Sequence, residues 1–565
     1  MSLVQAPTGE RPAAGAGRGS GSAAGRRRGS VGERVLGSPF AVSVVACAVA
    51  AAVSAAVLPT VPSYDPWSWI VWGREVVDPH LSFAVGGGPS WKPLPVLFTT
   101  VFGVFGGAAP TLWVITARAG GLMGLVAAYR LAARLASGRG SSGAGPESRA
   151  AGWPVLAGVL AAAAVMLTQD WAYYMFRGTS EPMLIGASLW AIDRHLSGRF
   201  GAAFWLGVAA SLIRPEVWPL LLGYAVWLWL RSPGPRSAGL RSPRVWLVVG
   251  LLAIPFLWFV PPWIGSGDPF LAASHAKAYN GHLGSHPFLT VLRRGADLQT
   301  APVLLLGVVA AVLGWFRRRD RVVLTLAGFA LVWWVIVVAM TLDGYPGLER
   351  FFLPAAAVAC VLAGAGVAWL ASLASGRSSA LPGSRRSSAL PASRRSSTLP
   401  ASRRSSAVPA SRRSGRLRVA VAGLVGALVA GALVAACVPF LSTRVSVARA
   451  QEAVAARAVT RLSQLSDAVA LVGGHRGVYP CRRSFAAVNH GVQTALAWKL
   501  HVTLGRVGTV MRHQGLLFVG PHDTIDGGPA PISRRLTQER LLAVAGAWRV
   551  YRVTAPGAAT RCVGR

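Results

Sequence analysis

Tyr64–Pro95 reads YDPWSWIVWGREVVDPHLSFAVGGGPSWKPLP. It follows the first hydrophobic run, residues 39–58, and carries Asp65, Arg74, Glu75, Asp78 and Lys92 where a membrane protein needs only a short polar turn. Its placement fixes the topology. The apolar stretch after it, Leu94–Gly107, is short of the ~20 residues that cross a bilayer and reads as an interfacial or re-entrant helix. With that stretch left out, spans fall near 39–58, 110–133, 153–168, 180–196, 200–213, 216–230, 245–264, 301–316, 322–341, 351–373 and 419–440, eleven in total. The arginine clusters at Arg134/Arg139/Arg149, Arg194/Arg199, Arg231/Arg236/Arg241/Arg244 and Arg317–Arg321 then lie inside, as the positive-inside rule requires. Counting Leu94–Gly107 as a span would invert every later loop. Tyr64–Pro95 is therefore outside, at the membrane surface, and a loop this rich in ionisable groups points to chemistry on a lipid-borne substrate.

The composition agrees with an all-α polytopic membrane protein. Of 565 residues, 53% are hydrophobic and 14% charged, too little charge for a soluble chain of this size. The net charge of +37 is spread as short arginine clusters between apolar runs, which is a topology signal and excludes nucleic acid as the partner the charge serves. Lysine occurs only at 92, 277 and 499. In a chain dominated by Arg, Ala, Gly and Pro, Lys92 runs against the drift.

The chain divides by composition. Residues 1–37 are a Gly-, Ala-, Ser- and Arg-rich cytoplasmic tail, expected to be disordered. Residues 38–373 form the transmembrane body with its outer loop at 59–93. Residues 374–418 are a basic cytoplasmic loop with a nine-residue S-R-R-S-S-A-L-P-A repeat, too polar and too proline-rich to pack as a solenoid. Residues 419–440 are the last span. Residues 441–565 read as a small α/β extracytoplasmic domain: an amphipathic helix near 445–472, then strand-like LLFVG at 516–520 and WRVYRV at 548–553. Cys481 and Cys562 are the only cysteines in this domain, and outside the cytoplasm they are expected to form a disulfide.

Several residues can carry chemistry. Asp65 before Pro66 is a helix start, and a carboxylate there can also act as a base. Glu75, Asp78 and Asp170 are further acids on the same side. Trp67, Trp69 and Trp72 suit the bilayer interface. Lys92 either snorkels to headgroups or meets a phosphate. Arg118 sits about two turns into the second span, a depth at which a charge needs a partner or a polar cavity. Arg177, Arg214 and Arg350 lie at outer ends of spans beside Glu181, Glu216 and Glu349. They form local ion pairs or, with Lys92, a cationic pocket for phosphate. His275, His282 and His286 share an outer loop, but their spacing matches no zinc signature.

The order of apolar span, Tyr64-Asp65, Arg74-Glu75, Lys92-Pro-Leu-Pro and then LFTTVFGVFGGAAPTLWVITARAGGLMGLVAAYRLAARL (97–135) resembles the start of the GT-C glycosyltransferases that use polyprenyl-phosphate sugars. These include protein O-mannosyltransferases and the bacterial transferases that add aminoarabinose to lipid A. The resemblance implies that Asp65 is the catalytic acid position, Lys92 a donor-phosphate contact and Arg118 the intramembrane arginine. Ile213-Arg214-Pro215 resembles the family's Thr-Arg turn, and Glu349-Arg350-Phe351 with Leu353-Pro354 its Arg-Tyr-x-x-Pro element. In this chain the acid is followed by Pro66 rather than a second acid, and one proline of the usual pair is shifted. The implied protein is an inverting transferase of a bacterial plasma membrane. It moves a sugar from a polyprenyl-phosphate donor to an extracytoplasmic hydroxyl on a glycan, lipid or protein. No cofactor is expected; a divalent metal can assist such chemistry, but no dense acidic cluster calls for one. The alternatives are a non-catalytic membrane component binding lipid or protein, or a transporter, which would call for inverted repeats.

Overall fold

The structure, a computed structural model, describes residues 39–137, 152–231, 243–278, 283–375, 411–481, 483–523 and 525–555. The expected tail at 1–37, the repeat at 377–410, His282 and Cys562 lie outside the described residues.

The membrane body is helical. In chain order it contains α1 (Pro39–Val57), α2 (Tyr64–Val77), α3 (Pro93–Gly103), α4 (Ala109–Ala136), α5 (Trp153–Met166), α6 (Trp171–Arg177), α7 (Glu181–Leu196), α8 (Phe200–Ser211), α9 (Trp218–Arg231), α10 (Pro243–Ser266), α11 (Leu271–Ala278), α12 (Pro287–Asp297), α13 (Ala301–Leu313), α14 (Arg321–Leu342), α15 (Leu353–Ala374) and α16 (Ser411–Ala435). Helix α17 (Val438–Leu471) leads into a small α/β unit with α18 (Gly474–Val478), β1 (Phe485–Val488), α19 (Gln493–Lys499), β2 (Val507–Gly508), β3 (Gly515–Val519), β4 (Thr537–Ala545) and β5 (Trp548–Thr554).

Each of the eleven expected spans is occupied by a helix, but not all are simple spans. Among the described residues, five helices are long and apolar enough to cross a membrane, or eight if each of three bent pairs counts once. The bends are 70° between α5 and α6, 91° between α12 and α13, and 45° between α16 and α17. Helices α7, α8 and α9 have only 16, 12 and 14 residues. At 1.5 Å per residue each falls short of a ~30 Å hydrocarbon core. Helix α3 has 11 residues, so Leu94–Gly107 does not cross. Valines and leucines along α1, α10, α13 and α14 face outward uncovered, which in a helical bundle is a lipid-facing belt. This is a multi-pass membrane protein.

Small residues set the packing of the body. Helix α15 is its centre: almost every residue from Leu353 to Trp369 is buried, and it packs on α5, α13, α14 and α16. Its sequence, LPAAAVACVLAGAGVAWL, lets neighbouring backbones approach closely. A Cβ at Gly364 would run into the Ala157 carbonyl, and one at Gly186 of α7 into the Gly120 carbonyl of α4.

The C-terminal sheet has strand order β2-β1-β3-β5-β4. Strand β1 is parallel to β2 and β3, while β5 is antiparallel to β3 and β4. The β4–β5 hairpin closes through Gly546 at φ 56°, the positive φ that two-residue hairpin turns demand. Trp548, fully buried, donates its indole N–H to the Arg461 carbonyl at 2.9 Å and ties the sheet to α17. LLFVG and WRVYRV are therefore β3 and β5, and the expected amphipathic helix is α17, which begins earlier because it runs on from α16.

Candidate functional site

Helix α2 begins two residues earlier than the Asp-Pro pattern predicts. Its N-cap is Ser63, and Asp65 lies inside the first turn. Pro66 is tolerated there because first-turn N–H groups have no helical acceptor. Asp65 gains from the helix dipole, and its carboxylate faces a cavity of about 920 Å³ between the outer ends of the helices and the C-terminal unit. Lys92, Asp170, Arg214, Glu216 and Arg350 line the same cavity.

Lys92 is the N-cap of α3, held extended by the prolines that follow. Its Nζ donates to Ser180 Oγ at 2.8 Å and to Glu181 Oε1 at 3.4 Å, and lies 5.1 Å from the centre of the Trp69 ring. It is buried rather than snorkelling. Burial pushes its ammonium down to about 8, and Glu181 acts against that shift.

Glu181 is the hub. It opens α7 and is 1% exposed. Besides Lys92, its Oε1 accepts from Arg214 Nη2 at 2.9 Å and lies 3.9 Å from Arg350 Nε. Arg214 Nη1 also donates to Glu216 Oε1 at 3.3 Å, and its guanidinium stacks 4.2 Å from the centre of Phe351. Arg350 Nη1 reaches Asp65 Oδ2 at 3.3 Å. Lys92, Arg214 and Arg350 are thus matched by Asp65, Glu181 and Glu216. Of the two arrangements expected for these cations, the ion-paired one is present, though with different partners: cations and carboxylates alternate through the network.

The expected local pairs change too. Arg214–Glu216 forms. Arg350 turns away from Glu349, which pairs instead with Arg294 at 3.5 Å, because successive residues of a 3₁₀ turn point about 120° apart. Glu181 serves Lys92, Arg214 and Arg350 rather than Arg177.

Three expected site residues lie elsewhere. Arg118 is not among the lining residues; Nε donates to the Met175 carbonyl at 2.9 Å, Nη1 to Ser54 Oγ at 3.2 Å and Nη2 to the Pro59 carbonyl at 2.6 Å. Its need for partners inside the membrane is met by two carbonyls and one hydroxyl, so it pins α1 and α6 to α4. Glu75 is 3% exposed and accepts from the Ala84 and Leu504 N–H groups at 3.0 and 3.3 Å. Burial pushes its carboxyl up to about 7, against the pull of those two N–H groups. Asp78 is paired with His501 at 2.7 Å. The His80 backbone N–H holds its carboxyl below the usual value, with His501 adding to this. Both acids dock the C-terminal unit on α2. Arg74 joins them, donating to the Trp498, Ala497 and Val502 carbonyls at 3.0, 3.4 and 2.9 Å.

The C-terminal unit also reaches the cavity. Gln451 of α17 donates to Asp170 Oδ1 at 2.6 Å and accepts from the Tyr173 N–H at 3.0 Å. His490 packs its ring 4.7 Å from Tyr64, next to Asp65. Burial pushes its imidazole down while Asp65 opposes. Tyr64 donates to Gln493 Oε1 at 2.9 Å, and its carbonyl accepts from Thr494 Oγ1 at 3.1 Å. The opposite wall is apolar: Trp218, Trp258, Phe259 and Phe270 form a chain of ring contacts 5.5 to 6.2 Å apart.

Among the described residues, no three His, Cys, Asp or Glu side chains come together to hold a metal ion; His275 lies against the Pro89 carbonyl at 3.3 Å. Cys47, Cys360 and Cys437 are free thiols, and Cys481 is disulfide-bonded.

The class defined here is a multi-pass helical membrane protein with a charged cavity between its helix ends and an α/β unit. Among solved structures it is similar to ArnT from Cupriavidus metallidurans in the apo state, at 15% identity and a TM-score of 0.45, over 91% of this chain and 97% of that one. It is also similar to the Archaeoglobus fulgidus oligosaccharyltransferase in complex with Zn and sulfate, at 14% identity and a TM-score of 0.39, over 82% of this chain and 62% of that one. No protein-family model matches the sequence, and no curated protein matches it.

Proposed function

We propose that this chain is an inverting membrane glycosyltransferase that moves a sugar from a polyprenyl-phosphate donor to a hydroxyl acceptor outside the cytoplasm of a bacterium. The observation that carries this reading is the convergence of Asp65, Lys92, Arg214 and Arg350, from four separate segments, on one cavity with an aromatic wall. The polyprenyl chain lies along Trp218, Trp258 and Phe259, and its phosphate meets Lys92 and Arg350. The acceptor oxygen attacks the anomeric carbon from the opposite face. The carbon–oxygen bond to phosphate breaks, its electron pair leaves on the polyprenyl phosphate, and the acceptor proton passes to Asp65. The cations stabilise charge that grows on the leaving phosphate. For this the phosphate must take Arg350 from Asp65, which frees the carboxylate as base in the same event.

A second reading, a non-catalytic membrane component, draws on the same network: each of the three cations already has a carboxylate partner. The test is turnover by the purified full-length chain in lipid nanodiscs across a panel of polyprenyl-phosphate sugars, with release of polyprenyl phosphate as readout. Release above the protein-free rate, abolished in Asp65→Asn, is the expected result. No release with any donor moves the assignment to the non-catalytic reading.

A further inference from the structure

At the C-terminal side of the cavity, Tyr64, Asp170, Tyr173, Tyr174, Gln451 and His490 line the wall. Their chemistry differs from that of the phosphate-facing network. Tyr173 and Tyr174 meet edge to face at 5.8 Å, and Tyr64 pairs with His490 at 4.7 Å. The same wall holds two planar polar groups, Asp170 and Gln451, joined at 2.6 Å. Asp170 holds a left-handed backbone at φ 60°. A non-glycine residue in that region costs energy that the surroundings must offset, and such residues gather at functional sites. Gln451 is fixed at both ends of its amide, and it bonds one of the two Asp170 oxygens.

We infer that this wall is the acceptor subsite and that its ligand is the terminal sugar of a glycan, held partly by the C-terminal unit. The inference rests on the transferase reading above. A pyranose has flat faces of C–H bonds and an equatorial rim of hydroxyls. Aromatic faces carry partial negative charge that attracts such C–H groups. Carboxylate and amide groups fixed in a plane accept and donate along the rim, and a few placed polar groups among aromatics are how small-ligand sites set orientation. A lipid hydroxyl would need an apolar wall, which stands on the other side at Trp218 and Trp258. A peptide would need a row of free backbone groups, and among the described lining residues the wall offers side chains instead. Asp65 lies one residue from Tyr64, so a sugar stacked here has a hydroxyl beside the base.

The experiment uses the full-length chain in nanodiscs. Mannose-, glucose- and galactose-terminated trisaccharides, a Ser/Thr-rich peptide and diacylglycerol are tested for binding by saturation-transfer NMR, without donor. His490→Ala and Tyr173→Leu are compared with the wild type, with a wild-type-like melting transition as the folding check. At least one trisaccharide is expected to bind. Each variant weakens it about tenfold, the size of one or two lost hydrogen bonds or ring contacts, and His490→Gln restores part of the loss. Binding of the peptide or diacylglycerol in place of every trisaccharide overturns the inference, as does trisaccharide binding untouched by both variants. Polyprenyl-phosphate sugars are then assayed separately. Donor turnover with acceptor KM unchanged in the variants overturns the subsite and leaves the transferase standing. Trisaccharide binding at this wall with no donor turnover overturns the transferase reading and the acceptor role with it, and leaves a sugar-binding wall.

Discussion

At the residue scale, Asp65 and Lys92 make separable predictions. Asp65→Asn keeps the shape and one accepting oxygen but takes up no proton, so transfer falls about 100- to 10,000-fold while the protein inserts and melts like the wild type; full activity would pass the base role to Asp170. Lys92 gives a pH signature. Its folded value, about 8, lies below that of a free lysine, so the native state releases this proton first. Transfer is expected to fall as pH rises through about 8, and Lys92→Arg, which keeps its charge, should remove that limb. An unchanged profile in Lys92→Arg would exclude Lys92 as its source. Glu181→Gln leaves the buried Lys92 and Arg214 and the half-buried Arg350 with one carboxylate fewer, and breaking a buried pair costs about 3–5 kcal/mol; thermal unfolding of the variant in nanodiscs should show a clear drop, and an unchanged transition would deny Glu181 its central role. Asp65, Lys92, Arg214 and Arg350 were readable in the sequence because each is an ionisable group at a span end, where its cost demands a reason. The part of Glu181 was not readable. Its partners Lys92 and Arg214 are 89 and 33 residues away, and nothing local marks it. Arg118 shows the converse: its depth demanded partners, but two of the three are carbonyls, which have no sequence signal, and the third is the hydroxyl of Ser54, 64 residues away.

At the scale of elements, helix α2 works on two faces. One presents Asp65 to the cavity; the other, through Arg74, Glu75 and Asp78, receives α19 and the turn before β2. Glu75 has a folded value near 7, above the ~4.3 of a free glutamate. Between those values the native state holds more protons than the unfolded one, so stability falls as pH rises through this window and levels off above it. The Glu75→Gln variant should show a flatter dependence of melting temperature between pH 5 and 8, and a dependence as steep as the wild type's would place its origin elsewhere. The helical body was legible from apolar run length and arginine placement. Bends and short helices were not, because hydropathy reports how many residues are apolar and says nothing of direction. LLFVG and WRVYRV were legible as strands by their aromatic and β-branched content. Gln451 and His490 gave no signal, being polar residues in a polar domain.

At the scale of the whole molecule, the C-terminal unit lies on the same side as Asp65, since its residues bond Tyr64, Glu75 and Asp78 directly. Reporter fusions after Ser375 and at the C-terminus should therefore report opposite faces of the membrane. The same face for both would break the topology assigned to α16.

The contact between Tyr64 and Gln493 spans 429 residues of chain. At about 5–20 residues per second, that gap represents roughly 20–90 s of synthesis. For that time the newborn segment around α2 has Arg74 unanswered and Glu75 bonded to the Ala84 N–H alone. A ribosome that stalls before residue 493 leaves a membrane fragment whose polar ledge never closes, and quality-control proteases have a mark by which to find it.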